Sequence, residues 1–297
     1  MSRPPTFTPP ACATARVLHT ERGDFAVLDA VPTTPARATA LLLPGYTGSK
    51  EDFIALLEPL SAAGYRVIAV DGRGQYESEG ADRQEQYAQG ELARDVLAQA
   101  AALTDSESDG DGRGEGTGEG GLHLLGHSLG GQIARAAVLL DATPFRSLTL
   151  MSSGPAEVVA SQREKVKMLS DALSVLSMDE VWQAMQALDP PQDADTGDGE
   201  DMRRRWMRHD PAQLIATGAQ LGVEPDRVDE LAAVGLPVHV LSGERDDVWP
   251  VELFDAMARR LDARRTTIAG AEHSPNTARP QKTAKALATF WDTFPVA

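Results

Sequence analysis

The chain has 297 residues, 42% hydrophobic and 24% charged, the balance of a soluble globular protein long enough for one large domain or a core with an insertion. A single cysteine, Cys12, excludes an intrachain disulfide and a cysteine-built zinc site. With 44 Asp+Glu against 28 Lys+Arg the formal charge is −16, which argues against nucleic acid and anionic membranes as partners, since both are polyanions.

The first residues hold Pro4, Pro5, Pro9 and Pro10 and no apolar run of the kind a secretory signal carries. Residues 1–14 are therefore expected as a disordered leader, and the cytoplasm as the compartment. No stretch of about 18 apolar residues follows, so no stable membrane insertion is expected. Next, Arg16–His19 and Phe25–Asp29 flank Glu21-Arg22-Gly23-Asp24, the pattern of an antiparallel hairpin. Short runs rich in Val, Leu and Ile then recur at Ala38–Leu43, Arg66–Val70, Leu122–Leu125, Ser147–Met151, Pro237–Leu241 and Arg264–Ile268. Each is followed by turn residues and a helix-like pattern. Strands apolar on both faces are central parallel strands covered by helices, so the fold class is α/β with a mostly parallel sheet.

Between about Gly154 and Ala232 the alternation stops and the pattern is helical throughout. Leu169, Leu173 and Leu176 recur at i, i+4 and i+7, and Ser177-Met178-Asp179-Glu180 reads as a capping box opening a helix with Val181, Trp182, Met185 and Leu188. A crossover needs far fewer residues. Residues 154–232 are thus expected as a helical cap insertion, with 15–153 and 233–297 as the core.

The run Leu122–Leu125 leads into Gly126-His127-Ser128-Leu129-Gly130-Gly131 and then a helical pattern with Ile133, Ala134, Ala137 and Val138. This is G-x-S-x-G between strand and helix, where a tight turn lifts the serine hydroxyl above the sheet. A serine hydroxyl is a weak nucleophile and needs a base, which in turn needs an orienting acid. Past Pro237–Leu241 stands Gly243-x-x-Asp246-x-x-x-Pro250, and past Arg264–Ile268 stands Glu272-His273-Ser274. Both lie beyond carboxyl ends of strands, where open α/β sheets place ligands. Of the other histidines, His19, His123 and His239 fall within strands, His209 within the cap, and His127 is read as facing away from Ser128.

The order Ser128, Asp246, His273 and these positions resemble the α/β-hydrolase family, over nearly the whole chain from about Arg16. The resemblance implies the α/β-hydrolase fold and a triad of Ser128, Asp246 and His273, with family spacing favouring Asp246 over Asp247. Leu43-Pro44-Gly45-Tyr46-Thr47-Gly48-Ser49 is similar to the family's H-G-x-x-G-S loop with Pro44 in place of His, and implies an oxyanion hole from the backbone N–H groups of Tyr46 and Leu129. Asp71-Gly72-Arg73-Gly74-Gln75-Tyr76-Glu77-Ser78 resembles the family's D-x-R-G-x-G-x-S loop. Tyr76 stands where glycine is usual and Gln75 where His is common; Asp71 and Arg73 are carried over as structural. The activity implied is hydrolysis of a small-molecule carboxylic ester through an acyl-enzyme, without cofactor or metal. The same triad also serves thioesters, lysophospholipids, carbon–carbon bonds or an alcohol acceptor, and a ligand receptor on the same scaffold is a further alternative. Serine at position 128 argues against the family's epoxide hydrolases and dehalogenases, whose nucleophile is a carboxylate.

Other features have plainer readings. Trp182, Trp206, Met185 and Met207 are expected to pack within the cap rather than line an acyl pocket. Arg203–Arg205 and Arg208 read as a solvated helix face, and Glu244 and Glu272 as solvated loop charges. Gly116-x-Gly118-x-x-Gly121 precedes a strand, where a dinucleotide fingerprint must follow one. Asp105, Glu107, Asp109, Asp111, Glu115 and Glu119 against Arg113 put −5 on residues 105–119, and six unopposed carboxylates put −6 on residues 189–201. Both stretches are expected as solubilising surface loops; neither fits an EF-hand.

Overall fold

The computed structural model describes residues 3–81, 83–108, 121–188 and 198–294. Eight strands form one sheet: β1 (Ala13–Thr20), β2 (Gly23–Ala30), β3 (Ala38–Leu43), β4 (Tyr65–Val70), β5 (Leu122–His127), β6 (Phe145–Met151), β7 (Val238–Gly243) and β8 (Arg264–Ile268). Their order across the sheet is β1-β2-β4-β3-β5-β6-β7-β8. The β1–β2 and β2–β4 pairings are antiparallel and every later pairing is parallel. The fold is that of the α/β hydrolases, and the antiparallel hairpin expected from the sequence forms one edge of the sheet.

The two faces follow the period of 2 along each strand. Leu41, Leu43, Ile68, Val70, Leu124, Leu148 and Val240 point to one face. Ala93 and Val96 of α2 (Gln89–Ser108), Ala134 and Ala137 of α3 (Leu129–Leu140) and Phe254 of α9 (Val251–Arg260) cover it. Leu42, Val67, Ala69, Leu125, Met151 and Leu241 point to the other, under Leu56, Leu57 and Leu60 of α1 (Ile54–Ala62) and Leu287, Phe290 and Trp291 of α11 (Pro280–Trp291). The short α10 (Pro275–Ala278) links β8 to α11.

Among the described residues, five helices stand between β6 and β7: α4 (Ala160–Leu173), α5 (Met178–Leu188), α6 (Asp198–Met207), α7 (Pro211–Leu221) and α8 (Val228–Val234). The capping box opens α5 as its sequence requires: Ser177 Oγ accepts from Glu180 N–H at 3.3 Å, while the Glu180 carboxylate accepts from Ser177 N–H at 2.8 Å. Asp210 caps α7 by accepting from Ala212 N–H, with Pro211 in the first turn. Leu173, Val181, Trp182, Met202, Trp206 and Leu214 form a separate apolar cluster, so the Trp and Met residues of this segment pack against one another. The helical pattern does not stop at Ala232: Val228 and Leu231, one turn apart on α8, are buried in the sheet's own core.

Three expectations are altered. Residues 3–12 carry no regular structure, yet Pro4 is buried and Phe7 packs on the apolar cluster of the inserted helices, so apolar burial fixes part of the leader. Residues 105–108, read as loop, continue α2, and residues 198–201 open α6, where Glu200 and Asp201 suit the positive end of the helix dipole. Residues 109–119 and 189–197 of the acidic stretches, with Gly116 and Gly118, lie outside the described residues. Arg205 is not on a solvated face. It is fully buried and donates to Asp52 at 2.7 Å, while its neighbours Arg203 and Arg204 are turned outward by the 100° step of the helix.

Candidate active site

Ser128 occupies the single-residue turn between β5 and α3 with φ 55° and ψ −121°, a conformation that L side chains rarely adopt. A side chain at position 126 would overlap the Gly130 carbonyl, and one at position 130 would overlap the Leu43 carbonyl of β3. Glycine at both positions lets this turn sit against the sheet. Ser128 N–H donates to Met151 O at 2.9 Å, so the hydroxyl is raised on a backbone already pinned to β6.

The structure brings Ser128, His273 and Asp246 together. His273 Nε2 lies 3.1 Å from Ser128 Oγ, and His273 Nδ1 lies 3.0 and 2.9 Å from the two Asp246 carboxylate oxygens. Asp246 is fixed by the loop after β7: its Oδ1 also accepts from Val248 N–H at 2.8 Å and Trp249 N–H at 3.2 Å. Its side chain is fully buried, while that of His273 is 22% exposed. Asp247, one residue on, is exposed and accepts from Gln162 at 2.8 Å. Glu244 and Glu272 are exposed loop residues.

Tyr46 and Leu129 belong to the two segments that adjoin Ser128. Leu129 is the first residue of α3, whose N–H a helix leaves without an intrahelical partner. Tyr46 follows Gly45, where an added Cβ would come 3.3 Å from Ser128 Cβ, so this loop lies directly against the Ser128 turn. The Tyr46 ring reaches the inserted helices and its hydroxyl donates to Leu214 O at 2.8 Å.

Residues not singled out from the sequence complete the surroundings. His127 does more than face away from Ser128: its Nε2–H donates to the carbonyl of His273 at 2.8 Å. A carbonyl accepts only, so His127 carries its proton on Nε2, and full burial lowers its pKa to about 4, keeping it neutral. Trp249 lies over the His273 ring with centroids 6.1 Å apart and donates Nε1–H to Ala156 O and Glu157 O. Nothing in the spacing of a lone Trp or of the x in G-x-S-x-G signals either role.

Behind the Tyr46 loop is a buried charged cluster. Lys50 Nζ lies 2.8 Å from Asp71, 2.7 Å from Glu77 and 2.9 Å from Glu51. Burial works against its charge, but Asp71 and Glu51 outweigh burial and hold its pKa above the ordinary range. Tyr76, in place of the usual glycine, has φ 39°. Lys50 Nζ at 4.6 Å and the Arg208 guanidinium at 5.4 Å from its ring centroid offset that strain, and these contacts place Tyr76 in this cluster rather than in a pocket beside Ser128. Arg73 pairs with Asp95 at 2.7 Å, a structural link between the β4 loop and α2. Among the described residues no group of three or more His, Cys, Asp or Glu is arranged to hold a metal ion, and no helix is long and apolar enough to cross a membrane.

A serine on a strained turn at the end of the fifth strand of this sheet, with an aspartate and a histidine on the loops after β7 and β8, is the arrangement of the α/β hydrolases. Comparison with known proteins agrees: residues 40–286 match the alpha/beta hydrolase family, and the chain belongs to it. It is 30% identical over 173 residues to a pimeloyl-[acyl-carrier protein] methyl ester esterase of Aeromonas hydrophila; the match spans 54% of this chain and 66% of that protein, just under two thirds of its length. Among solved structures, an esterase from Thermogutta terrifontis superposes with a TM-score of 0.70 at 20% identity, covering 95% of this chain and 100% of the other. A hydrolase from Pseudomonas aeruginosa does so with a TM-score of 0.70 at 21% identity, covering 94% and 98%.

Proposed function

We propose that the protein is a serine hydrolase that cleaves a small carboxylic ester through an acyl-enzyme. The observation that carries this reading is the continuous chain Ser128 Oγ–His273–Asp246 at hydrogen-bond distances on a strained, pre-aimed turn. His273 Nε2 takes the Ser128 proton as Oγ attacks the acyl carbonyl. Asp246, accepting from Nδ1–H, fixes the tautomer and stabilises the imidazolium that forms. The carbonyl oxygen gains negative charge and is met by the N–H groups of Tyr46 and Leu129. His273 then protonates the departing alcohol, and a water activated by the same imidazole releases the acid. The ester esterase from Aeromonas supports the choice of an ester, and the inserted helices above the β3 loop read as a cap over the site.

Ser128→Ala is expected to lower p-nitrophenyl ester turnover on the order of 10⁴-fold or more and to abolish fluorophosphonate labelling, with the fold unchanged by circular dichroism. Labelling that persists in the folded variant would overturn the reading. An ester panel of graded acyl length, run against matched thioesters, then defines the substrate.

A further inference from the structure

We infer that Gln75 is a positioning residue for the oxyanion hole: it sets the peptide plane whose N–H belongs to Tyr46. The inference rests on the site reading above. The Gln75 side chain is buried, and both ends of its amide are engaged. Oε1 accepts from Gly72 N–H at 2.9 Å, and Nε2 donates to Gly45 O at 2.9 Å. One partner can only donate and the other only accept, so the orientation of the amide is fixed by its surroundings.

The Gly45–Tyr46 peptide is planar and trans, so the Gly45 carbonyl and the Tyr46 N–H point in opposite directions. Holding the carbonyl toward Gln75 therefore aims the N–H to the opposite side of the plane. The Gly45 side of this peptide abuts the nucleophile, since an added Cβ there would come 3.3 Å from Ser128 Cβ. The same loop grips the far end of the segment: Asp71 Oδ1 accepts from Lys50 N–H at 2.7 Å. Loop 71–78 thus clamps the 45–50 segment at both ends, with Gln75 at the end next to the chemistry. Gly74, at φ 72°, and the Gly72–Gln75 turn, closed by Gln75 N–H donating to Gly72 O at 2.9 Å, shape the loop that carries the side chain.

A preorganised donor differs from a merely present one in how it acts on the transition state. Losing an oxyanion donor outright costs roughly 10²–10³ in turnover, and a donor freed to tilt loses part of that. Gln75→Ala is expected to lower kcat about 10- to 100-fold with KM within about threefold. Gln75→Glu keeps the shape but sets a carboxylate against the Gly45 carbonyl, and is expected to be at least as impaired. Gln75→His, which retains one donor and one acceptor nitrogen, should recover activity to within about fivefold of the parent.

The test uses p-nitrophenyl butyrate turnover in all three variants, with an aryl trifluoromethyl ketone as transition-state mimic and butyrate as ground-state ligand. The inference expects ketone affinity to fall in step with kcat/KM while butyrate affinity stays constant. A parallel loss of both affinities, or folded Gln75→Glu with kcat within twofold of the parent, overturns it, and Gln75→Glu answers the question if the alanine variant unfolds. Ser128→Ala is run alongside. If that variant is inactive and the Gln75 variants are not, this inference alone fails; if it keeps its labelling, the site reading fails and takes this inference with it.

Discussion

The sheet interior and the seam beneath the inserted helices are filled by different groups. Between the strands and their helices stand Leu, Val, Ile and Ala, buried on both faces, with little that is directional. The seam is polar. Arg205 meets Asp52, His209 lies between the carbonyls of Arg205 and Gly48, the Tyr46 hydroxyl donates to Leu214 O, and Tyr87 donates to Asp210 at 2.7 Å. Arg135 of α3 reaches Glu224 in the same manner at 2.7 Å, both side chains nearly fully buried. Apolar packing is non-directional and tolerates many arrangements. Charged and hydrogen-bonded contacts demand one. The seam therefore fixes where the inserted helices sit over the Tyr46 loop, at the cost of desolvating the groups that do so.

The largest expected effect breaks the seam at its buried ion pair. Arg205→Met leaves the fully buried Asp52 carboxyl without its ion-pair partner, and should cost about 3–5 kcal/mol in urea unfolding. The comparison is Leu124→Ala, which opens a cavity in the sheet and should cost about 2–5 kcal/mol. The two losses are similar in size but differ in repair. Replacing Asp52 by Asn together with Arg205→Met removes the buried charge and should restore most of the stability, whereas no polar partner repairs Leu124→Ala. If the double variant is as unstable as Arg205→Met, the seam is not held by this charge pair.

The same contrast decides what the sequence could announce. The strands were legible because their apolar runs are local, and the Ser128 turn because G-x-S-x-G carries its own steric logic. Asp246 and His273 stood out by their places after strand ends, and the family resemblance made them a triad with Ser128 and favoured Asp246 over Asp247. The seam was not legible. Ser49-Lys50-Glu51-Asp52 holds no apolar residue, yet all four are buried, because their partners are remote in sequence: Arg205 lies 153 positions from Asp52, and Asp71 and Glu77 lie on another loop. Which arginine of the Arg203–Arg205 run turns inward depends on helix phase, which composition does not reveal. Tyr76 was visible as a departure from glycine, but its price, a positive φ balanced by two cations, required the fold.

Acid should tell the two regions apart next. Burial lowers the pKa of His209 in the seam to about 4 and of His239 in β7 to about 3. Both are neutral when folded and can take a proton when unfolded, so the unfolded chain binds more protons as pH drops below 6.5. Their contribution to stability is complete above pH 6.5 and is lost as pH falls toward about 4 for His209 and about 3 for His239. Burial pushes Asp71 upward and acts in the opposite sense. His209→Asn should reduce the slope of unfolding free energy against pH between 6 and 4.5 by about 1.4 kcal/mol per pH unit, the linkage of one proton. An unchanged slope would mean that His209 is charged in the folded protein, balanced by Asp52.

The smallest effect separates the two duties of Tyr46. Its hydroxyl belongs to the seam, and its backbone N–H lies in the loop beside Ser128. Tyr46→Phe removes the bond to Leu214 O and should cost about 0.5–1.5 kcal/mol of stability, leaving a helix carbonyl short of one donor but not of its helical partner. Gly218 is relevant here, because an added Cβ would come 2.7 Å from the Tyr46 hydroxyl, 2.9 Å from Val166 Cγ1 and 3.1 Å from Tyr46 Cζ; Phe at position 46 removes the tightest of these contacts and should therefore reduce the cost of Gly218→Ala without abolishing it. That coupling is measurable as a double-mutant cycle in unfolding free energy. Turnover should change by less than about threefold in Tyr46→Phe, since Gln75 Nε2 still donates to Gly45 O. A larger loss of kcat at constant stability would show that the seam, and not the core loop, aims the peptide that faces Ser128.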